Sequence, residues 1–345
     1  MLPVRLIDYG LRDYGTAEWV GGDAECEHNP QRPDGGDRSD RSLPLGRGGV
    51  YREVCGKCGA IRVDNQIGLE PTPDEYVAGM VQVFREVWRV LRDDGTAWLN
   101  LGDTYSAQRW TNDSPQKMNK YKDTHRGIAP EKHSGLPDKN LIGIPWRVAF
   151  ALQADGWYLR QDIIWHKPNP MPESVKDRCT KAHEYIFLLT KNARYWYDHE
   201  AVKEESERPD LVGRAKRNVY APKWNGEGGR EFERRAGVEY CSPNGRNRRS
   251  VWTVTTKPYS GAHYAVFPPD LIEPCILAGC PPGGIVLDPF IGSGTTAMVA
   301  RKHGRHAIGL DLNFEYLTTN ARERLQYGSY VPVADGITQL TIGGE

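Results

Sequence analysis

The sequence lacks a net charge, since 45 lysine and arginine residues balance 45 aspartate and glutamate residues over 345 positions. Charge by itself therefore indicates no partner, and a surface for nucleic acid would have to be a local basic patch. The sequence also lacks any apolar run approaching about eighteen residues, which excludes a membrane-spanning helix. The first residues, MLPVRLIDYG, lack the basic stretch and long apolar stretch of a secretion signal, so a cytoplasmic protein is expected.

No internal repeat is visible, and strand-like apolar stretches alternate with helix-like ones along the chain. The clearest helix is predicted over 73–92, where Thr72 can act as N-cap and Pro73 occupies the first helical position. This alternation predicts an α/β protein with a doubly wound, mostly parallel sheet. Two polar, glycine-containing stretches, 21–50 and 203–250, are predicted to be loops or inserts. Strands are predicted at 95–103, 157–167 and 183–191, and further helices at 142–156 and 267–280.

The seven cysteines are an odd number, and three of them lie within the first sixty residues. Without a secretion signal a reducing compartment is expected, where metal binding is favoured over disulfides. Cys26-x-His28 and Cys55-x-x-Cys58 form two chelating pairs, and four sulfur and nitrogen ligands are what a closed, structural Zn²⁺ site requires. The alternatives are four unrelated polar residues in a loop, or a redox Cys-x-x-Cys pair, although no redox-type helix follows. The sequence therefore predicts a zinc-knuckle insert over 22–62.

The stretch VLDPFIGSGTTAMVARKHG, residues 286–304, is typical of a short strand, a glycine loop and a helix. Gly292 and Gly294 allow the backbone to approach a ligand at the N-terminus of the helix. A second strand ends at Asp311, about twenty residues further on, where a carboxylate can accept hydrogen bonds from both hydroxyls of a ribose. The pattern predicts a nucleotide-type cofactor site. It is also compatible with a nicotinamide enzyme or with a turn that binds nothing.

The sequence from Phe267 to Leu325 resembles the cofactor half of amino-type DNA methyltransferases that use S-adenosylmethionine, because Asp-Pro-Phe-x-Gly-Ser-Gly-Thr-Thr stands at 288–296. The stretches DDGTAWLNLGDTYS and DIIWHKPNPMPESVKDRCTKAHEYIFLLTK resemble catalytic-half segments of bacterial and phage members of this family. The resemblance implies a permuted order, with the catalytic half first and a cofactor half over 263–325. It also implies a single methyltransferase domain over 1–345 with a Rossmann-like methyltransferase fold.

The resemblance further implies the activity, namely transfer of a methyl group from S-adenosylmethionine to cytosine N4 or adenine N6. Its substrate would be double-stranded DNA with a flipped target base, and its expected partner a cognate restriction endonuclease. Asp288 would face the methionine ammonium of the cofactor and Asp311 would hold the ribose. The implied cofactor-binding residues are Phe267, Pro268, Asp288, Phe290, Gly292, Gly294, Thr295 and Asp311.

A local basic excess lies within 203–257, where Tyr220, Trp224 and Trp252 are interleaved with the basic residues. Lysine and arginine suit phosphates and aromatic rings suit bases, so this insert is predicted to recognise the DNA target. A charged loop that faces only solvent is the alternative. The predicted DNA-binding residues are Arg214, Lys216, Arg217, Arg246, Arg248 and Arg249.

A catalytic motif of the form Ser/Asp/Asn-Pro-Pro-Tyr/Phe/Trp is missing from the chain. In relatives that resemble it, this motif leads directly into Gly-Leu-Arg-Asp-Tyr-Gly, which stands here at 10–15 after Arg-Leu-Ile-Asp-Tyr. Asp8 and Tyr9 are therefore the predicted catalytic residues, with Asp8 accepting a hydrogen bond from the amine and Tyr9 stacking on the base. Either the motif has been lost, or the start falls inside or beyond an altered gene start.

Three functions remain in competition at this point. The leading one is a DNA methyltransferase of the amino type. A DNA-binding or cofactor-binding pseudoenzyme of the same fold is favoured by the missing motif. A nicotinamide-dependent oxidoreductase is permitted by the glycine loop, although a dinucleotide fold of two halves would need more chain after Asp311.

Overall fold

The structure is a computed structural model of the 345-residue chain. It describes residues 18–23, 25–28, 54–63, 67–68, 70–106, 135–205, 219–224, 230–235, 245–257, 266–312, 317, 330–333 and 337–342. The contacts and strand pairings described are those among these residues.

The described residues form helices α1 (Pro73–Val90), α2 (Ile144–Ala154), α3 (Pro269–Gly279) and α4 (Thr295–Lys302). Between and around them lie strands β1 (Glu18–Val20), β2 (Ile61–Val63), β3 (Thr96–Leu101), β4 (Tyr158–His166), β5 (His183–Thr190), β6 (Val219–Trp224), β7 (Arg230–Arg235), β8 (Val251–Thr253), β9 (Ile285–Asp288), β10 (His306–Asp311), β11 (Tyr330–Val333) and β12 (Ile337–Ile342). No described helix combines the length and the apolar character that crossing a bilayer requires.

The strands form two hairpins and two larger sheets. β1 pairs with β2, and β6 pairs with β7 inside the stretch that the sequence predicts to be an insert. The larger sheets have the strand orders β3-β5-β4-β8 and β11-β12-β10-β9. The predicted α/β class is confirmed, since helices cover both faces of the first sheet.

Parallel pairing among the described strands is confined to β4 with β8 and β9 with β10. The reason is that β5 lies antiparallel between β3 and β4, so these two strands run in one direction without pairing with each other. The strands β3, β4 and β8 therefore share a direction, although most neighbouring pairs are antiparallel. A pattern of apolar residues marks a strand but not its direction, so the insertion of β5 was not predictable from it.

Helices α1 and α2 cover one face of the first sheet. Thr72 caps α1 in a capping box with Glu75, and Pro73 begins the helix, which confirms the predicted start. The apolar stripe of α1 packs against alternate residues of β3 and β5, because side chains at every second strand position share a face. The centre of this core consists of Tyr76, Met80, Phe84, Leu99, Leu101, Val148, Leu152, Phe187 and Leu189.

Helices α3 and α4 cover the other face. Ile163 and Trp165 of β4 pack with Trp252 of β8 and with the buried side chains of both helices in one continuous core. The same helices pack against the sheet that contains β9 and β10. One apolar core therefore serves both larger sheets.

Two contacts fix the relative direction of β3 and β9. At the start of β3, Thr96 Oγ1 donates a hydrogen bond of 3.2 Å to the carbonyl of Gly279, at the end of α3 and just before β9. Beyond the end of β9, Phe290 packs against the core beneath β3 and β5. The two strands therefore run in the same direction. The edge formed by the residues after β3, β4, β8 and β9 is called the carboxyl edge below, and it is where ligands bind in open α/β sheets.

A substitution at Gly279 tests the contact between the end of α3 and the start of β3. A Cβ atom on Gly279 would lie 2.3 Å from Thr96 Oγ1 and 2.5 Å from Trp98 Nε1. We expect Gly279→Ala to lower the free energy of unfolding by about 1–3 kcal/mol, because the two elements would have to separate. Gly79→Ala is the matched control in α1, where the nearest atom is 3.5 Å away. It should raise stability by about 0.5–1 kcal/mol. Equal thermal shifts for both variants would contradict this account.

Candidate functional site

A buried carboxylate organises the glycine loop. Asp288 ends β9 with 1% of its surface exposed. The backbone N–H of Phe290 donates to Asp288 Oδ1 at 3.0 Å, and Thr296 Oγ1 donates to Asp288 Oδ2 at 2.5 Å. An ionised carboxylate out of water needs such donors, and Thr296 supplies the one from helix α4. Asp288 thereby fixes the turn between strand and helix.

The glycines of the loop have the backbone conformation for which they were predicted. Gly292 and Gly294 have φ values of 50° and 80°, a region that side chains rarely adopt. Gly294 is the N-cap of α4 and provides no capping side chain. Polar groups of a ligand can therefore approach the N-terminal amides of this helix. Thr295, at the first position of α4, is itself buried.

Asp311 joins the end of β10 to the same loop. Its Oδ2 accepts a hydrogen bond of 2.9 Å from the backbone N–H of Gly292, and Ile291 N–H donates to the carbonyl of Leu310 at 2.9 Å. The acid that the sequence predicts for a ribose thus lies beside the glycine loop, as a nucleotide site requires.

The segment before α3 completes the cluster of predicted cofactor residues. Phe267 is 8% exposed and packs in the core that also contains Ile291 of the loop. Pro268 is the N-cap of α3. The structure therefore brings Phe267, Pro268 and the residues of the loop 288–294 to one end of the α3–α4 layer, near the carboxyl edge.

A second cluster lies in the β1–β2 hairpin. Ligand atoms of Cys26, His28, Cys55 and Cys58 all lie within 4.8 Å of one another. The Cys26 and Cys55 sulfurs are 3.8 Å apart, and His28 Nε2 is 3.2 Å from Cys58 Sγ. Sulfurs at about 2.3 Å from a tetrahedral zinc ion are separated by about 3.8 Å, so the donor set fits the metal in type and spacing. The structure thus brings together all four predicted ligands.

The local backbone holds this cluster in shape. The hairpin register pairs Glu18 with Val63 and Val20 with Ile61, which brings the two ligand pairs to the same end. A Cβ atom on Gly22, which has a φ of 75°, would lie 2.8 Å from Cys58 Sγ, so only glycine fits there without a shift. Trp19 stacks on His28 with ring centroids 4.5 Å apart.

Backbone amides also polarise one thiol of the cluster. The N–H groups of Cys58 and Lys57 lower the pKa of Cys55 to about 7, because they donate to its sulfur. A thiol with a lowered pKa is closer to the thiolate form that binds metals. Gly22 and Trp19 were not predicted as parts of this site, because the sequence does not show which residues lie against the ligands.

The predicted DNA-binding residues fall into two groups. Arg214, Lys216 and Arg217 lie outside the described residues. Arg246 and Arg249 both form ion pairs with Glu204, at 3.2 and 3.3 Å, and Arg248 lies 4.8 Å from the ring centroid of Trp252. These contacts fasten the segment 245–249 to the body of the protein. Counting charges along the sequence could not reveal them, because Glu204 is more than forty positions away.

Further polar residues gather at the carboxyl edge. Asp103 Oδ1 accepts hydrogen bonds from the N–H groups of Thr104, Gly143 and Ile144 and thereby caps helix α2. Lys181 donates to the carbonyl of Asp103 at 3.2 Å, and burial lowers the pKa of its ammonium. The sequence feature that could have predicted this cluster is the position of Asp103 at the end of a predicted strand. The predicted catalytic residues Asp8 and Tyr9 lie outside the described residues.

Comparison with known proteins decides between the competing readings of the glycine loop. The family model described as DNA methylase (N6_N4_Mtase) matches residues 38–322. The chain belongs to this family. It is 46% identical over 264 residues to the type II methyltransferase M.Cfr9I of Citrobacter freundii, covering 76% of each chain. It is 45% identical over 262 residues to M.SmaI of Serratia marcescens, covering 75% of this chain and 77% of that one.

Among solved structures, the PvuII DNA methyltransferase (cytosine-N4-specific) aligns with a TM-score of 0.47 and 18% identity, over 72% of this chain and 70% of that one. The predicted membership in the amino-type DNA methyltransferases is confirmed by the family match and by the curated relatives. DNA methylation with S-adenosylmethionine as the methyl donor follows from that membership. The nicotinamide alternative loses its support.

Thr296 gives a test of the buried network around Asp288. Thr296→Val removes the hydroxyl at nearly constant volume, so Asp288 loses a hydrogen bond that buried carboxylates need. We expect the affinity for S-adenosylhomocysteine, measured by calorimetry, to fall by about 1–3 kcal/mol. Thr296→Ser keeps the hydroxyl and should restore most of the affinity. An unchanged affinity for the valine variant would show that the network does not shape the loop.

Proposed function

We propose that the chain binds S-adenosylmethionine at the loop 288–294 and methylates an exocyclic amino group, cytosine N4 or adenine N6, in double-stranded DNA. The observation that carries the proposal is the network of Asp288, Thr296, Gly292 and Asp311, which holds a glycine turn at a helix N-terminus. The cofactor would span from Phe267 and Pro268 to Asp311.

The residues of the loop would bind and orient the cofactor. When bound, the cofactor would supply an electrophilic methyl group, which would bond to the amino nitrogen of the target base as its bond to the sulfonium sulfur breaks. Asp288 keeps the turn in place and contributes negative charge where the methionine ammonium is expected. Asp311 accepts hydrogen bonds from the ribose, and the amides of α4 bind polar groups of the cofactor.

Catalysis requires an acceptor for the amine, because the lone pair of an exocyclic amino group is delocalised into its ring. Asp8 would accept a hydrogen bond from the amine and Tyr9 would stack on the flipped base. The stretch 5–9 contains no Pro-Pro turn to hold such an acceptor rigidly. Losing one preorganised hydrogen-bonding group typically lowers the rate by about 10²–10³. We therefore propose a slow enzyme.

The remaining parts of the chain would position the DNA. We propose one methyltransferase domain over 1–345, in which the insert 203–257 recognises the target through Arg214, Lys216, Arg217 and Arg248. Arg246 and Arg249 would contribute mainly by fixing this insert through Glu204. A cognate restriction endonuclease acting on the same DNA in the cytoplasm would be its functional partner.

The Cys26, His28, Cys55 and Cys58 cluster would hold one structural zinc ion. Its four donors fill a tetrahedral coordination sphere, so no position remains for a reacting water. The ion would join the two ends of the insert 22–62, which continue from the strands β1 and β2 of a short two-stranded hairpin. Such a hairpin is marginally stable by itself, and a metal supplies the missing stabilisation.

Transfer of a labelled methyl group to mixed genomic DNA tests the activity. We expect slow incorporation that Asp311→Ala lowers by roughly 10² at subsaturating cofactor, because losing its hydrogen bonds should weaken cofactor binding by roughly 2–3 kcal/mol. Restoring Ser-Pro-Pro-Tyr-Trp before Gly10 should raise the rate by at least about 10².

A rate that already matches a normal enzyme would contradict the account of residues 5–9. Asp8→Ala would then show whether Asp8 accepts the hydrogen bond from the amine. Binding of cofactor and DNA without any transfer would instead identify a pseudoenzyme.

Elemental analysis of the purified chain tests the metal site. We expect about one zinc ion per chain. Cys58→Ser should lose the metal and destabilise the insert, whereas Cys179→Ser, which changes an exposed cysteine outside the cluster, should keep it. Fully folded protein without metal would refute the site.

A further inference from the structure

The segment between β4 and β5 contains an unusually regular run of prolines. It reads Lys-Pro-Asn-Pro-Met-Pro-Glu from Lys167 to Glu173, with proline at every second position. Each proline fixes its own φ and also restricts the residue before it. The backbone on both sides of Met171 is therefore stiff. Binding of the Met171 side chain to a partner would cost little further backbone conformational entropy.

Contacts at the base of the segment hold it against the carboxyl edge. The N–H of Lys167 donates to the carbonyl of Ala182 at 2.8 Å, and its ammonium forms an ion pair with Glu184. Asn169 exchanges two hydrogen bonds with the backbone of Thr256, at 3.0 and 3.1 Å. The run of prolines thus projects from a fixed base.

The same contacts connect the segment to the cofactor residues. Thr256 precedes Lys257, whose ammonium forms an ion pair of 2.5 Å with Asp270 in the first turn of α3. Phe267 and Pro268 lie directly before that turn. The base of the segment is thus linked, through Thr256 and Lys257, to the start of α3 and to the predicted cofactor residues before it.

Met171 is the most exposed large apolar side chain in the described part of the chain, at 70%. Charged residues follow it, including Glu173, which forms an ion pair with Arg178 at 2.6 Å. A single apolar side chain among charges is too small for a protein interface. It does match a wedge between base pairs, a role for which methionine and proline are used in DNA-bending proteins.

We propose that Met171, held between Pro170 and Pro172, inserts into the DNA base stack at the position that the target nucleotide leaves. The proposal rests on the proposed function, since an amino group inside a duplex cannot reach the methyl donor. The wedge would stabilise the open duplex by replacing the lost base stacking. Its effect would be on the extrusion of the base and not on the cofactor.

Binding measurements on defined duplexes test this role without requiring activity. A preferred duplex is first selected from a random pool by the full chain in the presence of S-adenosylhomocysteine. Each base pair of that duplex is then replaced in turn by a mismatch, which reduces the cost of extruding a base at that position. The position where a mismatch strengthens binding is the target, and 2-aminopurine placed there reports an unstacked base by its fluorescence.

Met171→Ala should bind the paired duplex about tenfold more weakly and give less 2-aminopurine fluorescence, while the mismatched target restores most of its affinity. Met171→Leu should resemble the unmodified chain. The control is Val90→Ala, which shortens an exposed side chain at the end of α1. All variants should bind S-adenosylhomocysteine equally.

Two results would overturn the wedge while leaving the proposed function intact. If Met171→Ala binds paired duplex as the unmodified chain does, Met171 has no part in extrusion. If it loses affinity equally on paired and mismatched duplexes, Met171 makes an ordinary contact. If instead no duplex is selected at all, the proposed function itself fails, and the wedge fails with it.

Discussion

The packing of helix α3 is the constraint on which the rest of the structure depends. Among the described strands, none pairs across the two larger sheets, so the apolar faces of α3 and α4 are what hold them together. The helix ends so close to β3 that Gly279 leaves no room for a methyl group. Together with the packing of Phe290, this contact sets the direction of β9 against β3. It thereby places the glycine loop at the same edge as Asp103, Lys181 and the segment that carries Met171.

A carboxylate without water is costly unless its oxygens are satisfied, and Asp288 shows how the loop meets this requirement. Its partners come from the turn itself and from the first turn of α4. The helix therefore cannot move away from the strand without exposing an unsatisfied charge. Strand, turn and helix behave as one unit, and Asp311 attaches the neighbouring strand to it through Gly292.

Local signals in the sequence predicted the features that depend on a few neighbouring residues. Thr72 and Pro73 marked the start of α1, the glycines at 292 and 294 marked a turn, and the spacing of the cysteines marked a ligand set. Features that depend on distant partners were not predictable. The antiparallel entry of β5 and the pairing of Arg246 with Glu204 bring together residues whose patterns carry no information about each other.

The order of the elements along the chain has a consequence for synthesis on the ribosome. Strands β4 and β8 emerge before α3 and α4, so the apolar face of Ile163, Trp165 and Trp252 is complete before its cover exists. The opposite face can be covered earlier, because α1 and α2 precede β5 in the chain. In a nascent chain, one face of the first sheet can therefore be covered while the other stays bare until α3 and α4 have been synthesised. The glycine loop then forms in the same event that shields the core from aggregation.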